Sequence, residues 1–204
     1  KPSNPFQGQF VSAQVAELRA QGCQADYYYM RWHSDSLLNR LLKYPVFFLE
    51  FCRKYLFSRT RYDIIHVHFF YPTIWLALLY RWLRNKNVKI VVTCHGSDIY
   101  LYQPAGRAYR WCAQQVQAWI FTSKALSQQL FFTPSNQHVL SAGIQRHYST
   151  ATFHAFSAKD IDILYVGTLD KNKGMDRLLA ALPELTHYRI VVAGSGPWLT
   201  KLQD

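Results

Sequence analysis

The sequence predicts an α/β protein: a doubly wound lobe with a parallel sheet covered on both faces, followed by the opening of a second lobe of the same kind. Three observations predict it. After Asp63, short apolar, β-rich runs alternate with longer helical stretches, the pattern of crossover connections between parallel strands. An irregular polar run at 143–158 then gives way to a fresh strand, loop, helix and strand. The charge follows the same division: residues 1–150 hold 17 Lys and Arg against 6 Asp and Glu, whereas 151–204 hold 6 of each.

In chain order the spacing predicts a helix at 11–21, a strand at 25–30 and a long helical region at 36–57. Regular alternation follows, with strands at 64–69, 88–93, 118–122 and 138–141 and helices at 72–84, 105–116 and 124–131. The second lobe reads as a strand at 161–166, a helix at 175–182 and a strand at 189–193. This organisation sets domains at 1–145 and 159–204 joined by a linker at 146–158. The helix at 11–21 has no strand ahead of it, although such a lobe normally begins with one, and two strands are too few to bury a sheet face. Truncation at both ends is therefore the expectation.

No segment matches the length of a membrane-spanning helix, about 20 apolar residues. The apolar run at 71–80 is closed by Arg81. Cys23, Cys52, Cys94 and Cys112 lack metal-binding spacing, and no secretory leader opens the chain, which points to reduced thiols in a cytoplasmic protein. The basic first lobe attracts anionic partners in general: nucleic acid, anionic lipid or phosphorylated substrate. Its basic residues are spread among helices without a nucleic-acid recognition motif, so no nucleic-acid partner is expected.

The sharpest chemical segment is the strand ending at Cys94 and running into His95, Gly96, Ser97 and Asp98. Ligands of open α/β sheets bind beyond the carboxyl ends of strands. Gly96 admits a ligand to the backbone, and His95 is placed to donate to a sugar hydroxyl or to charge developing on a leaving phosphate. The same residues also suit a capped turn in which His95 and Asp98 only satisfy backbone groups. His66 and His68 alternate with apolar residues, so both point to one face of their strand. They read as hydrogen-bonded core or cleft-wall residues more readily than as metal ligands, and no metal site is assigned. In the second lobe, Val166, Gly167, Thr168 and Leu169 precede Lys171, Lys173 and Gly174, a glycine and lysine loop that suits a diphosphate if its backbone N–H groups are free. A solvated turn is the competing reading. Gly194, Ser195, Gly196 and Pro197 form another tight strand-to-helix turn.

Taken in order, these segments resemble the retaining glycosyltransferases of the GT-B fold, which pairs two Rossmann-like lobes, and especially glycosyltransferase family 4. Residues 4–11 (NPFQGQFV) resemble the family's acceptor-side glycine loop, 63–68 (DIIHVH) its strand, and 92–99 (VTCHGSDI) its VTxHGSDI segment. Phe121, Thr122, Ser123 and Leu126, then Ala142, Gly143 and Ile144, sit where the family closes its first lobe. Residues 166–174 resemble VGRLxxxKG, and 192–197 resemble VxGxGP.

The resemblance implies a sugar-transferring enzyme that takes a nucleoside diphosphate sugar and passes the sugar, with retention, to a glycan or lipid-linked acceptor in cell-surface polysaccharide or glycolipid synthesis. It implies no cofactor and no essential metal. His95 becomes the catalytic candidate. Gly8, Gly96, Ser97, Asp98, Ser123, Lys173, Gly174, Gly194 and Gly196 become substrate-binding candidates, with Lys173 on the donor diphosphate and Gly194 and Gly196 on the nucleotide side. The chain departs from the family at Thr168, where Arg is usual, and at 142–145, which reads AGIQ in place of NGxD. The family's donor-gripping carboxylate pair would lie beyond Asp204, which weighs against turnover by this chain alone.

Leucines and aromatics recur with helical spacing through 36–61, among them Leu38, Leu41, Leu42, Phe48, Phe51, Cys52 and Tyr55, with Arg40, Lys43, Arg53, Lys54, Arg59 and Arg61 between them. Such a helix suits an anionic membrane surface, placing the enzyme peripherally at the inner face, and equally suits a core-facing helix with a solvated basic side. An epimerase or hydrolase on the same fold, or a non-catalytic lobe binding nucleotide or anionic membrane, remain the rival readings.

Overall fold

The computed structural model describes residues 9–30, 36–141, 143 and 159–203. The chain divides into two compact units, 1–145 and 146–204.

In the first unit β1 (Ile64–His68), β2 (Lys89–Cys94), β3 (Ala118–Phe121) and β4 (Gln137–Val139) form a wholly parallel sheet in that spatial order. Parallel neighbours need crossovers, and these are α3 (Phe70–Leu83), α4 (Ser97–Tyr100) with α5 (Arg107–Gln114), and α6 (Lys124–Ser127). Tyr71 has extended dihedrals, so the continuous part of α3 starts at Pro72, whose fixed φ suits a first helical turn. Phe70, Ile74 and Leu78 repeat on one stripe of α3 and are fully buried against Val67, Ile90, Val92, Trp119 and Phe121. Burying each such side chain contributes about 1.5–3 kcal/mol. The period of two turns His66 and His68 to the opposite face, where Phe10 of α1 (Gln9–Ala20) meets His68. Helices therefore cover both faces.

Two expectations change. Residues 23–30 carry no regular structure. Tyr28 instead plugs into α2 (Leu37–Phe51), stacking on Phe47 at 4.6 Å and donating its hydroxyl to the Phe47 carbonyl at 2.6 Å. Side-chain anchorage replaces a ladder. The helix expected over 124–131 stops at Ser127, whose hydroxyl donates back to the Lys124 carbonyl at 2.8 Å, and Leu130, Phe131 and Phe132 turn into the core. The long region at 36–57 is α2 followed by a π-helical turn, Cys52–Leu56, which buries Phe51 and Tyr55 against Tyr28, Tyr80 and Val88.

The second unit pairs β5 (Ile163–Val166) with β6 (Ile190–Ala193) in parallel, with α7 (Met175–Ala181) between them in sequence and α8 (Leu199–Gln203) after them.

Candidate functional site

The carboxyl ends of β1, β2 and β3 bring His68, His95 and Ser123 to one edge of the sheet. His68 Nδ1 lies 3.1 Å from His95 Nε2, and His66 Nε2 lies 2.7 Å from Thr93 Oγ1. The His66 and His68 rings stack at 4.4 Å. Two phenylalanines flank His95: Phe69 with ring centroids 4.4 Å away and Phe10 at 5.0 Å. Phe69 holds its place at a cost, since its φ of 63° lies in the left-handed region that a bulky residue rarely adopts.

Asp98 shapes the loop. It is 2 % exposed, and its Oδ1 accepts the N–H groups of His95 at 3.0 Å and Gly96 at 2.9 Å. Its Oδ2 accepts the Phe70 N–H at 2.8 Å, tying the loop to the start of α3, while the Tyr109 hydroxyl donates to its carbonyl. Three backbone donors on one buried carboxylate make Asp98 a brace: of the two roles the sequence leaves open for it, the structure shows the backbone-satisfying one. Gly96 has φ 109°, a conformation that glycine alone adopts without strain, while Ser97 opens α4 and is exposed. Ser123 caps α6, accepting the Leu126 N–H at 3.1 Å. Gly8 lies outside the described residues.

All three imidazoles are held below the usual histidine range. Burial is the main cause for His68, which is pushed down to about 3 with help from His66 and His95. Burial also lowers His66, with His95 adding to it, and lowers His95 against the opposing pull of the Asp98 charge. The cluster is neutral at pH 7, so His95 acts as a hydrogen-bonding group rather than a cation.

In the second unit the glycine and lysine loop differs from its sequence reading. The N–H groups of Leu169, Asp170, Lys173, Gly174 and Met175 are taken by Ser195, Thr168, Asp170, Lys171 and Asp170 carbonyls, so this backbone is not free for an anion. The Asp170 carboxylate also accepts from the Lys173 N–H, and the Tyr165 hydroxyl donates to the Thr168 carbonyl at 3.0 Å. What the loop presents to solvent is the pair Lys171 and Lys173. Gly194 and Gly196 are required for close packing: a Cβ on Gly194 would sit 1.9 Å from the Gly167 carbonyl oxygen, and one on Gly196 would sit 2.5 Å from that of Leu169.

Sequence reasoning gave His68 a hydrogen-bonded place in the core or on a cleft wall but not its pairing with His95, 27 residues away, and it singled out neither Phe10, within the 4–11 motif, nor Phe69 as a site residue. The only local signal for Phe69 was its position at a strand end. The Glycosyltransferase Family 4 profile matches residues 7–145, and the chain belongs to that family. No curated protein matches the chain. The match spans the whole β1 to β4 sheet and its histidine edge.

Proposed function

We propose that the protein transfers a sugar from a nucleoside diphosphate sugar to a glycan or lipid-linked acceptor, with retention, in the synthesis of cell-surface polysaccharide or glycolipid. The observation that carries this reading is the braced, neutral His95 at the carboxyl end of β2, paired with His68 and set between two aromatic rings. The proposed tautomer has His68 donate its Nδ1–H to His95 Nε2, 3.1 Å away. That leaves the His95 proton on Nδ1, where it donates to the sugar or to the departing diphosphate as negative charge grows there.

In the proposed step the bond from the anomeric carbon to the diphosphate oxygen breaks, and the electron pair leaves with the diphosphate. The acceptor oxygen bonds to the same face of the anomeric carbon, and its proton passes to the departing phosphate. No metal is assigned to this step. In the second unit, exposed Lys171 and Lys173 are proposed as cations that bind a diphosphate. A lipid-linked acceptor accords with α2, where Leu41 is 66 % and Leu42 40 % exposed beside Lys43. Among the described residues no helix is long and apolar enough to cross a membrane, so the proposed contact is peripheral.

The test offers a panel of radiolabelled UDP- and GDP-sugars together with a bacterial lipid extract. Label appearing in the lipid or polymer fraction supports transfer, while labelled free sugar alone indicates a hydrolase.

A further inference from the structure

Three of the chain's six tryptophans gather on one outer face of the first unit. Trp75 and Trp82 lie seven residues apart on α3, two turns along one stripe, and Trp111 of α5 lies 5.8 Å from each by ring centroids. Their exposures are 37, 47 and 39 %. Residues of this kind normally hide at least their ring faces, so a row of three half-exposed indoles marks a contact surface.

The surroundings are apolar at one end and cationic throughout. Leu83, next to Trp82, is 67 % exposed. Arg84 donates to the Ser58 carbonyl, which brings the segment holding Phe57, 82 % exposed, to that end of α3. Arg53, Lys54, Arg59 and Arg61 are exposed on either side of Phe57 in sequence, Lys86 is exposed just past α3, and Arg107 and Arg110 are exposed on α5. Between Asp63 and Asp160 the only acidic residue is Asp98, which is buried. From Ile64 to Lys159 the chain therefore offers indoles and cations with no exposed carboxylate, the nearest one in sequence being the exposed Asp63.

We infer that the Trp75, Trp82 and Trp111 face seats the protein on an anionic lipid bilayer. Indoles settle at the boundary between headgroups and acyl chains, and flanking Lys and Arg attract anionic headgroups. The arrangement of the rings argues against the other ligands of exposed tryptophan. A pyranose or a nucleic-acid base stacks on a free ring face. Here Trp75 and Trp111 stack on each other, 22° from parallel, so each ring already gives part of one face to its neighbour. The three indoles stand on α3 and α5 and not on α2 or at His95, and the inference stands whether or not the sugar-transfer reading does.

The experiment uses the whole chain and vesicles of phosphatidylcholine with or without phosphatidylglycerol. Cosedimentation should require phosphatidylglycerol and weaken with salt. Lipids brominated near the headgroup should quench the tryptophan emission of the unaltered protein, a readout that needs no variant. Replacing all three residues with serine should weaken vesicle binding by at least about tenfold, with the far-UV spectrum unchanged because these side chains are already exposed. A Leu41→Ser, Tyr44→Ser variant in α2 should retain the quenching. Quenching lost in the α2 variant but kept in the triple variant would overturn the inference. So would absence of vesicle binding, or a fluorescence response to an oligosaccharide or to single-stranded RNA in its place.

Discussion

His68 Nδ1 and His95 Nε2 are 3.1 Å apart across the ends of two adjacent strands, which makes His68 the residue that fixes how His95 presents its other nitrogen. His68→Phe keeps the ring volume and removes the hydrogen bond. It should lower kcat by about 10–100-fold with KM little changed, since misplacing a reacting group is felt in the transition state. His68→Gln, which retains a donor, should recover part of the loss. Equal steady-state constants for His68→Phe and the unaltered protein would remove His68 from the site.

The same cluster predicts a pH dependence of stability. With folded pKa values lowered from the ordinary value near 6.5, the unfolded chain binds more protons than the folded one as pH falls below that value. Stability is therefore full above about pH 7 and declines through the window from about 6.5 toward 3, at up to about 1.4 kcal/mol per pH unit for each proton taken up. Urea midpoints between pH 7.5 and 5 check this. The slope should shrink in His68→Asn, and an unchanged slope would mean that His68 does not titrate in that window.

Asp98→Asn replaces an acceptor of three backbone N–H groups by an amide that turns a donor toward at least one of them. The expected destabilisation is about 1–3 kcal/mol, read as a lower urea midpoint. A variant as stable as the parent would contradict the bracing role.

Two glycines should fail for different reasons. An added Cβ at Gly96 meets only the Tyr100 ring at 3.6 Å, so Gly96→Ala costs backbone strain of about 1–3 kcal/mol. At Gly194 the same atom would lie 1.9 Å from the Gly167 carbonyl oxygen, so the backbone must move and the loss should be larger. Equilibrium unfolding of the two variants compares them directly.

Much of the fold is legible because it rests on local pattern. The apolar runs at 64–69, 88–93 and 118–122 became the strands within a residue or two, and Pro72 marked the start of continuous helix. The run of three tyrosines at 27–29 has strand-forming residues but, among the described residues, no partner strand, and one half-buried side chain, Tyr28, decided its course. The loop at 95–98 was legible as polar residues at a strand end. Asp98 as a cap on its own turn was one of two readings, and its tie to Phe70 was not legible, because Phe70 meets Asp98 only after α3 and β2 have packed. The lysine loop stood between an anion cradle and a solvated turn because sequence spacing shows which amides are present and not which are already bonded, as those of Leu169 and Lys173 are.

The central claim, sugar transfer at His95, is tested most directly by pairing calorimetric binding of UDP- and GDP-sugars with transfer of label from the donor that binds, in the unaltered chain and in His95→Ala. The account predicts one preferred donor, bound comparably by both proteins, with transfer slower by about 10²–10³-fold in the variant. No donor binding by the unaltered chain, or equal transfer by both, would contradict it.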